Sequence, residues 1–244
     1  MKTGMFSSLV ASAAIIGIIA TTQPSKAGDC LDGSGTISGE NHQVLSFRKI
    51  IVETEATVIL SQDNAQRVLV QADDNLQNLI ETKIENGTLS ISVPKCVNPT
   101  KNITVFVSMK DIDELTLSGN GKILASRSIT SDNIKFVVSG SGEIRFDELH
   151  AENITTQVLG SGSITLRGNA ITHTIESVGS GAVHAYELKA INSKLSVVGS
   201  GSCEINADNQ LDVKITGSGS VRYHGKPEVL RKEITGDGSL SKRY

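Results

Sequence analysis

The sequence predicts an all-β chain, a right-handed parallel β-helix or solenoid with coils of about 20 residues. Three observations carry this. Gly-x-Gly words recur at a nearly constant step, apolar residues keep fixed even offsets from each word, and no helical period runs between them. The words are Gly119/Gly121, Gly140/Gly142, Gly160/Gly162, Gly179/Gly181, Gly199/Gly201, Gly217/Gly219 and Gly236/Gly238, with steps of 21, 20, 19, 20, 18 and 19 residues.

Four residues after each first glycine stand Ile123, Ile144, Ile164, Val183, Cys203, Val221 and Leu240. Six after stand Ala125, Phe146, Leu166, Ala185, Ile205 and Tyr223. Two and four before stand residues such as Leu117, Val138 and Val197, and Leu115, Phe136 and Leu195. Even offsets on both sides of a glycine pair describe two short strands meeting at a corner, each with one face inward. A four-stranded propeller blade needs more chain, and the Leu and Asn spacing of a leucine-rich repeat is absent. Seven coils stacked at the strand spacing would form a rod of roughly 30–35 Å.

The glycines are read as structural turn residues, placed where the backbone needs positive φ or passes close to its neighbour. The residue between them is usually Ser, small enough to stack at a corner. Cys203 falls in a column of Ile, Val and Leu and is read as a packed small hydrophobe, not a nucleophile.

Residues 1–27 read as a signal peptide. Lys2 precedes the apolar run 6–20, and Ser25 and Ala27 stand at the small-residue positions of a cleavage site. A membrane anchor is the competing reading, but the run falls short of the ~20 residues a span needs. The remaining chain is therefore expected to be exported, periplasmic or at the cell surface, with no later transmembrane segment. Its net charge is near −5, which disfavours nucleic acid as a partner. Residues 222–244 run against that balance at +3, read as a solvated cap over an exposed sheet edge in preference to an anion-binding patch.

Residues 28–118 are strand-rich but irregular, either a cap or the first coils; residues 119–244 hold the regular repeats and a C-terminal cap. In the first part, 56–75 reads as strand, Asp63-Asn64 turn, strand, and 73–81 as a single helical turn. Cys30 and Cys96 form a candidate disulfide in an oxidising compartment, leaving Cys203 free.

Here the chain resembles a known family. The stretches "FRKIIVETEATVILSQ", "VLVQADDNLQNLIETKIENGTLSISV" and "ITVFVSMKDIDELTLSGNGKI", followed by serial "SGSG" words and "GSGSVRYHGKPE", are similar to the head GIN domain over about residues 44–226. The resemblance implies an exported bacterial β-helical protein and no activity.

No catalytic, cofactor-binding or metal site emerges. The Gly-x-Gly words precede no helix and no Gly-Lys-Ser/Thr, so they are not phosphate loops, and only Asp237 lies within one, against a calcium β-roll. The histidines share no column. The nearest acidic constellation is Asp147, Glu148 and Glu152 with Glu187, read as a solvated face. The expected function is a non-catalytic interaction or structural module of a bacterial envelope, meeting a polysaccharide or a surface protein through stacked outward side chains. The alternatives are a carbohydrate-active β-helix enzyme and a scaffold that polymerises end to end.

Overall fold

The computed structural model describes residues 30–243; residues 1–27, read from the sequence as a signal peptide, lie outside the described residues. In chain order come β1 (Leu31–Asp32), β2 (Ile37–His42), β3 (Lys49–Val52), β4 (Thr57–Gln62), β5 (Arg67–Asp73), a 3-10 turn (Asp74–Leu79), β6 (Glu81–Glu85), β7 (Thr88–Ser92), β8 (Val97–Asn98) and β9 (Thr104–Met109). Then follow β10 (Glu114–Leu117), β11 (Lys122–Ala125), β12 (Ile129–Val138), β13 (Glu143–Gly160), β14 (Ser163–Gly179), β15 (Ala182–Gly199), β16 (Ser202–Gly217), β17 (Ser220–His224), β18 (Val229–Thr235) and β19 (Ser239–Lys242).

The chain is a β-solenoid of about 6 turns with ~20-residue coils. From β10 onward every pairing is parallel and joins one coil to the next. Register keeps like with like: Ile144 pairs with Ile164, Ile164 with Val183, Val183 with Cys203, and Cys203 with Val221. Side chains of one column therefore stack into inward ladders, and the residues four and six after each first glycine are buried as far as Val221 and Ile205. Strands β13 to β16 turn their second corner without ending, at register shifts such as that between Phe146 and Leu149. Among the described residues only two aromatic rings meet in the core, Phe136 and Phe146, edge to face at 4.9 Å.

The first half joins the same stack, out of sequence order. Strands β3 and β4 lie directly beside β10 and β11, so residues 49–62 form the coil next to the first glycine-cornered one. Strands β7 and β9 then pair in parallel with β3 and β4 from the other side. The chain thus lays one coil, places the next outside it, and crosses back through 110–113 to continue inward. Arg48 holds that crossing, with Nε 2.7 Å from Asp113 and Nη1 3.4 Å from Asp111.

Antiparallel strands cover the outermost coil: β5 on β9, β2 on β5, and β6 on β7. The strands flanking Asp63-Asn64 are present, but β4 and β5 do not pair with each other. Strand β9 lies between them, parallel to one and antiparallel to the other. A longer loop carries each strand to a non-adjacent partner, which the alternation of either strand does not encode. The helical turn of 73–81 is the short 3-10 turn Asp74–Leu79.

The opposite end finishes differently. Strands β18 and β19 pair only with β16 and β17 among the described residues, and every residue of β18 is exposed. In this last coil Lys232 occupies the column of Val213, and Lys242 that of Tyr223. Columns that turn mostly apolar residues inward in the earlier coils carry lysine here, a placement that blunts an open edge.

Candidate functional site

The glycine corner is built from the repeat upward, and the two glycines of a word do different things. The first glycine of five words, Gly160, Gly179, Gly199, Gly217 and Gly236, has positive φ; Gly119 and Gly140 do not. Gly199 shows why a side chain is excluded: its φ is +110°, and a Cβ would stand 2.6 Å from the Gly179 carbonyl oxygen of the coil before.

The second glycines depart from a turn role based on positive φ. Gly121, Gly142, Gly162, Gly181, Gly201, Gly219 and Gly238 all lack it. They are required for space alone, since a Cβ on any of them would come within 3.0 Å of the adjoining coil. What they would meet differs along the stack. At Gly121 it is the Ala56 and Thr54 carbonyls of the irregular half, and at Gly142 the Gly121 carbonyl and the Leu117 side chain. At Gly162, Gly181, Gly219 and Gly238 the obstacles are an inward branched side chain (Val138, Val158, Val197 and Ile215 in turn) and the carbonyl of the preceding second glycine. A Cβ on Gly201 would meet Ser177 Oγ at 2.8 Å and the Gly181 carbonyl at 2.9 Å. The physical reason is that the second glycine sits where the chain re-enters the stack, over the side chain that ends the incoming strand of the previous coil. Between the coils run backbone bonds such as Ser200 N–H to Gly179 O at 2.9 Å and Ser202 N–H to Gly181 O at 3.1 Å.

This close stacking pushes the middle residues outward. Ser141, Ser161, Ser180, Ser200 and Ser218 form an exposed row along the axis, begun by Asn120 and ended by Asp237. Ser161 and Ser180 share a hydrogen bond of 3.1 Å. Beside the row, Leu159, Val178 and Val198 are exposed in successive coils, by 41%, 40% and 42%. Side by side, they make an uncharged ridge of hydroxyls and short hydrocarbon. The glycine columns point to the corner; reading them alone misses the apolar stripe, which stands in the sequence one residue before three successive first glycines.

The acidic constellation does not form a carboxylate pair. Arg167 lies between its members, with Nη1 2.7 Å from Asp147 Oδ1 and Nε 3.3 Å from Glu187 Oε1, and Arg145 Nε also reaches Asp147 at 2.9 Å. Glu148 faces His150, 3.4 Å away. Carboxylates engaged by guanidinium groups on a solvated face are not a free pair flanking a scissile bond. Among the described residues no group of three or more His, Cys, Asp or Glu side chains could hold a metal ion.

Cys203 is buried, and burial pushes its thiol up to about 12. His173, also buried, is pushed down to about 3 by desolvation and shares a 2.9 Å hydrogen bond with Thr156 Oγ1. Neither group reaches the surface.

At the capped end Cys30 and Cys96 are joined in a disulfide. Next to it, β1 pairs with β8, and Gly33-Ser34-Gly35 wraps the buried Asp73 carboxylate. Asp73 accepts from Gly35 N–H at 2.8 Å, Thr100 N–H at 2.9 Å and Thr100 Oγ1 at 2.6 Å. The Thr100 hydroxyl, then the backbone donors, hold this carboxyl below its usual range against the effect of burial. A Cβ on Gly33 would strike the same carboxylate, which gives this isolated glycine word its purpose.

The clasp holds the loop 93–103 over the corner. No comparable loop interrupts the later coils, and beneath this one lies an open groove of about 550 Å³, lined among others by Glu55, Lys95, Asn102, Asn120 and Lys122. The groove thus lies between the irregular half and the first glycine-cornered coil, which lends it Asn120 and Lys122, and away from the coils that carry the acidic constellation.

A parallel stack of ~20-residue coils with outward ridges and an antiparallel cap defines a β-solenoid. The chain belongs to the family described as "Putative auto-transporter adhesin, head GIN domain", whose profile matches residues 46–227. Similar folds are seen in a "putative adhesin" from Bacteroides fragilis (24% identity, TM-score 0.83, 87% of this chain and 100% of that one) and in a "putative lipid binding protein" from Parabacteroides distasonis (23% identity, TM-score 0.74, 88% and 100%). A "putative adhesin" from Parabacteroides distasonis is similar as well (24% identity, TM-score 0.74, 88% and 100%). No curated protein matches the chain.

Proposed function

We propose that the protein is an exported, non-catalytic module of the bacterial envelope that binds an extended polymer or a surface protein along its glycine-corner ridge. The single observation that carries this reading is the pairing of the exposed Ser161, Ser180 and Ser200 row with the exposed Leu159, Val178 and Val198 stripe. The ridge repeats at the strand spacing of about 4.8 Å, so weak contacts can recur along a repetitive ligand. The family description and the adhesin names of similar structures support the adhesion-like class. The apolar run at 6–20 supports export, as does the disulfide, a bond that persists in oxidising compartments.

The test is to bind the chain from residue 28 onward to an array of envelope and host glycans, and to assay the same array for new reducing or unsaturated ends. Binding without product is expected. Product formation would replace this reading with the carbohydrate-active one.

A further inference from the structure

The groove under the 93–103 loop lies at one end of the ridge. Its floor includes Ala56, Val93 and Ile103, and its rim carries Lys95, Asn102 and Asn120. Asn120 is the first member of the outward row that continues as Ser141 and Ser161, so the groove opens onto the ridge.

The charged groups at the rim are unequally engaged. Lys122 Nζ is 3.1 Å from Glu143, and Glu55 accepts a 3.3 Å hydrogen bond from the neutral amide of Asn120. Lys95 is exposed and makes no ion pair among the described residues. With Lys122 paired to Glu143, Lys95 is the groove's one ammonium without an ion pair among the described residues, and it stands beside two amides that both donate and accept.

We propose that this groove binds the acidic terminal unit of a glycan, a uronate-type sugar, whose following units run onto the ridge. A carboxylate answers Lys95, ring hydroxyls answer Asn102 and Asn120, and the C–H face of the ring rests on the short hydrocarbon floor. The disulfide at Cys96 holds the loop that closes the site. The inference rests on the ridge reading for the rest of the polymer, but the groove can be tested apart from it.

The experiment titrates the chain from residue 28 with hyaluronate, alginate and polygalacturonate oligosaccharides, each beside its carboxyl-reduced derivative. At least one acidic form should bind about tenfold more tightly than its reduced partner, in keeping with a charge-assisted contact. Lys95→Gln should erase that preference and Lys95→Arg should keep it, with circular dichroism unchanged in both. Ser180→Trp, a neutral bulky change on the ridge, should weaken acidic and reduced forms alike. If no pair shows an acid preference, or Lys95→Gln leaves it intact, the groove proposal is overturned. A ridge effect without acid preference would leave the ridge reading standing alone. A Lys95-dependent preference, with the affinity of both forms untouched by Ser180→Trp, would overturn the ridge reading and keep the groove.

Discussion

Thr156 and His173, on adjacent coils, share a 2.9 Å hydrogen bond wholly inside a core that is otherwise mostly hydrocarbon. The imidazole is neutral there, its pKa pushed down to about 3 by burial. In the unfolded chain a histidine titrates near 6.5. Between those values the unfolded state binds a proton that the native state refuses, so stability falls as pH drops below about 6.5. The slope contributed by this one group is about 1.4 kcal/mol per pH unit. Urea unfolding at pH 7 and pH 5 should show a loss of roughly 2 kcal/mol from this source. The double variant Thr156→Val/His173→Ile, which copies the Ile154 found at the paired position of the neighbouring coil, should flatten the dependence. Equal slopes in both proteins would show that the pair does not govern it.

Gly199→Ala places a side chain on a residue at φ +110° and against the Gly179 carbonyl. Backbone strain plus the collision should destabilise by about 3 kcal/mol. Thermal unfolding would measure it, and a change under about 1 kcal/mol would reject the corner geometry.

Cys203→Val should change stability by less than about 1 kcal/mol, since valine already fills that column at Val183 and Val221. The native thiol should resist alkylation at neutral pH until the chain is unfolded. Rapid labelling of the folded protein would contradict the buried placement.

The last coil yields an association prediction. Lys232→Val with Lys242→Tyr restores the residues of the coil beneath, Val213 and Tyr223, and removes two charges from an open parallel edge. Sedimentation should then show end-to-end assembly that the parent chain lacks, because the unguarded edge can pair with another strand. A variant that stays monomeric would place the guard elsewhere, for instance on Arg243, whose guanidinium lies 4.7 Å from the Tyr186 ring centre.

What can be read from the sequence is what the repeat imposes locally. The columns through Ile144 and Phe146 give inside and outside, the glycine steps give the coil, and Cys203 inherits the environment of its column. The division of labour within a glycine word is not legible, because Gly199 and Gly201 look alike in the sequence while only the first has positive φ. Nor does the sequence reveal which strand lies beside which in the first half. Alternation in 57–62 and 67–73 marks two strands, but nothing in either names β9 as the strand between them. Long-range polar partners are hidden for the same reason: Asp73 and Thr100 stand 27 residues apart, with no pattern linking them. Arg167 is hidden as well, because register shifts at the second corner place it between Asp147 and Glu187, which do not share an offset from their glycines.

The like-with-like register makes the length of the shaft independent of its ends. Gly179 and Gly199 occupy equivalent places, with φ of +116° and +110°. Excising residues 180–199 would join Gly179 to Ser200 in the geometry that Gly199 now provides. One whole turn would be removed, shortening the shaft by about 4.8 Å, while the disulfide-clasped groove and the lysine-guarded rung stay as they are. Such a chain behaves as a ruler whose graduations can be added or deleted singly. Reach is then a quantity that evolution, or an engineer, can set by copying twenty-residue units without redesigning either terminus.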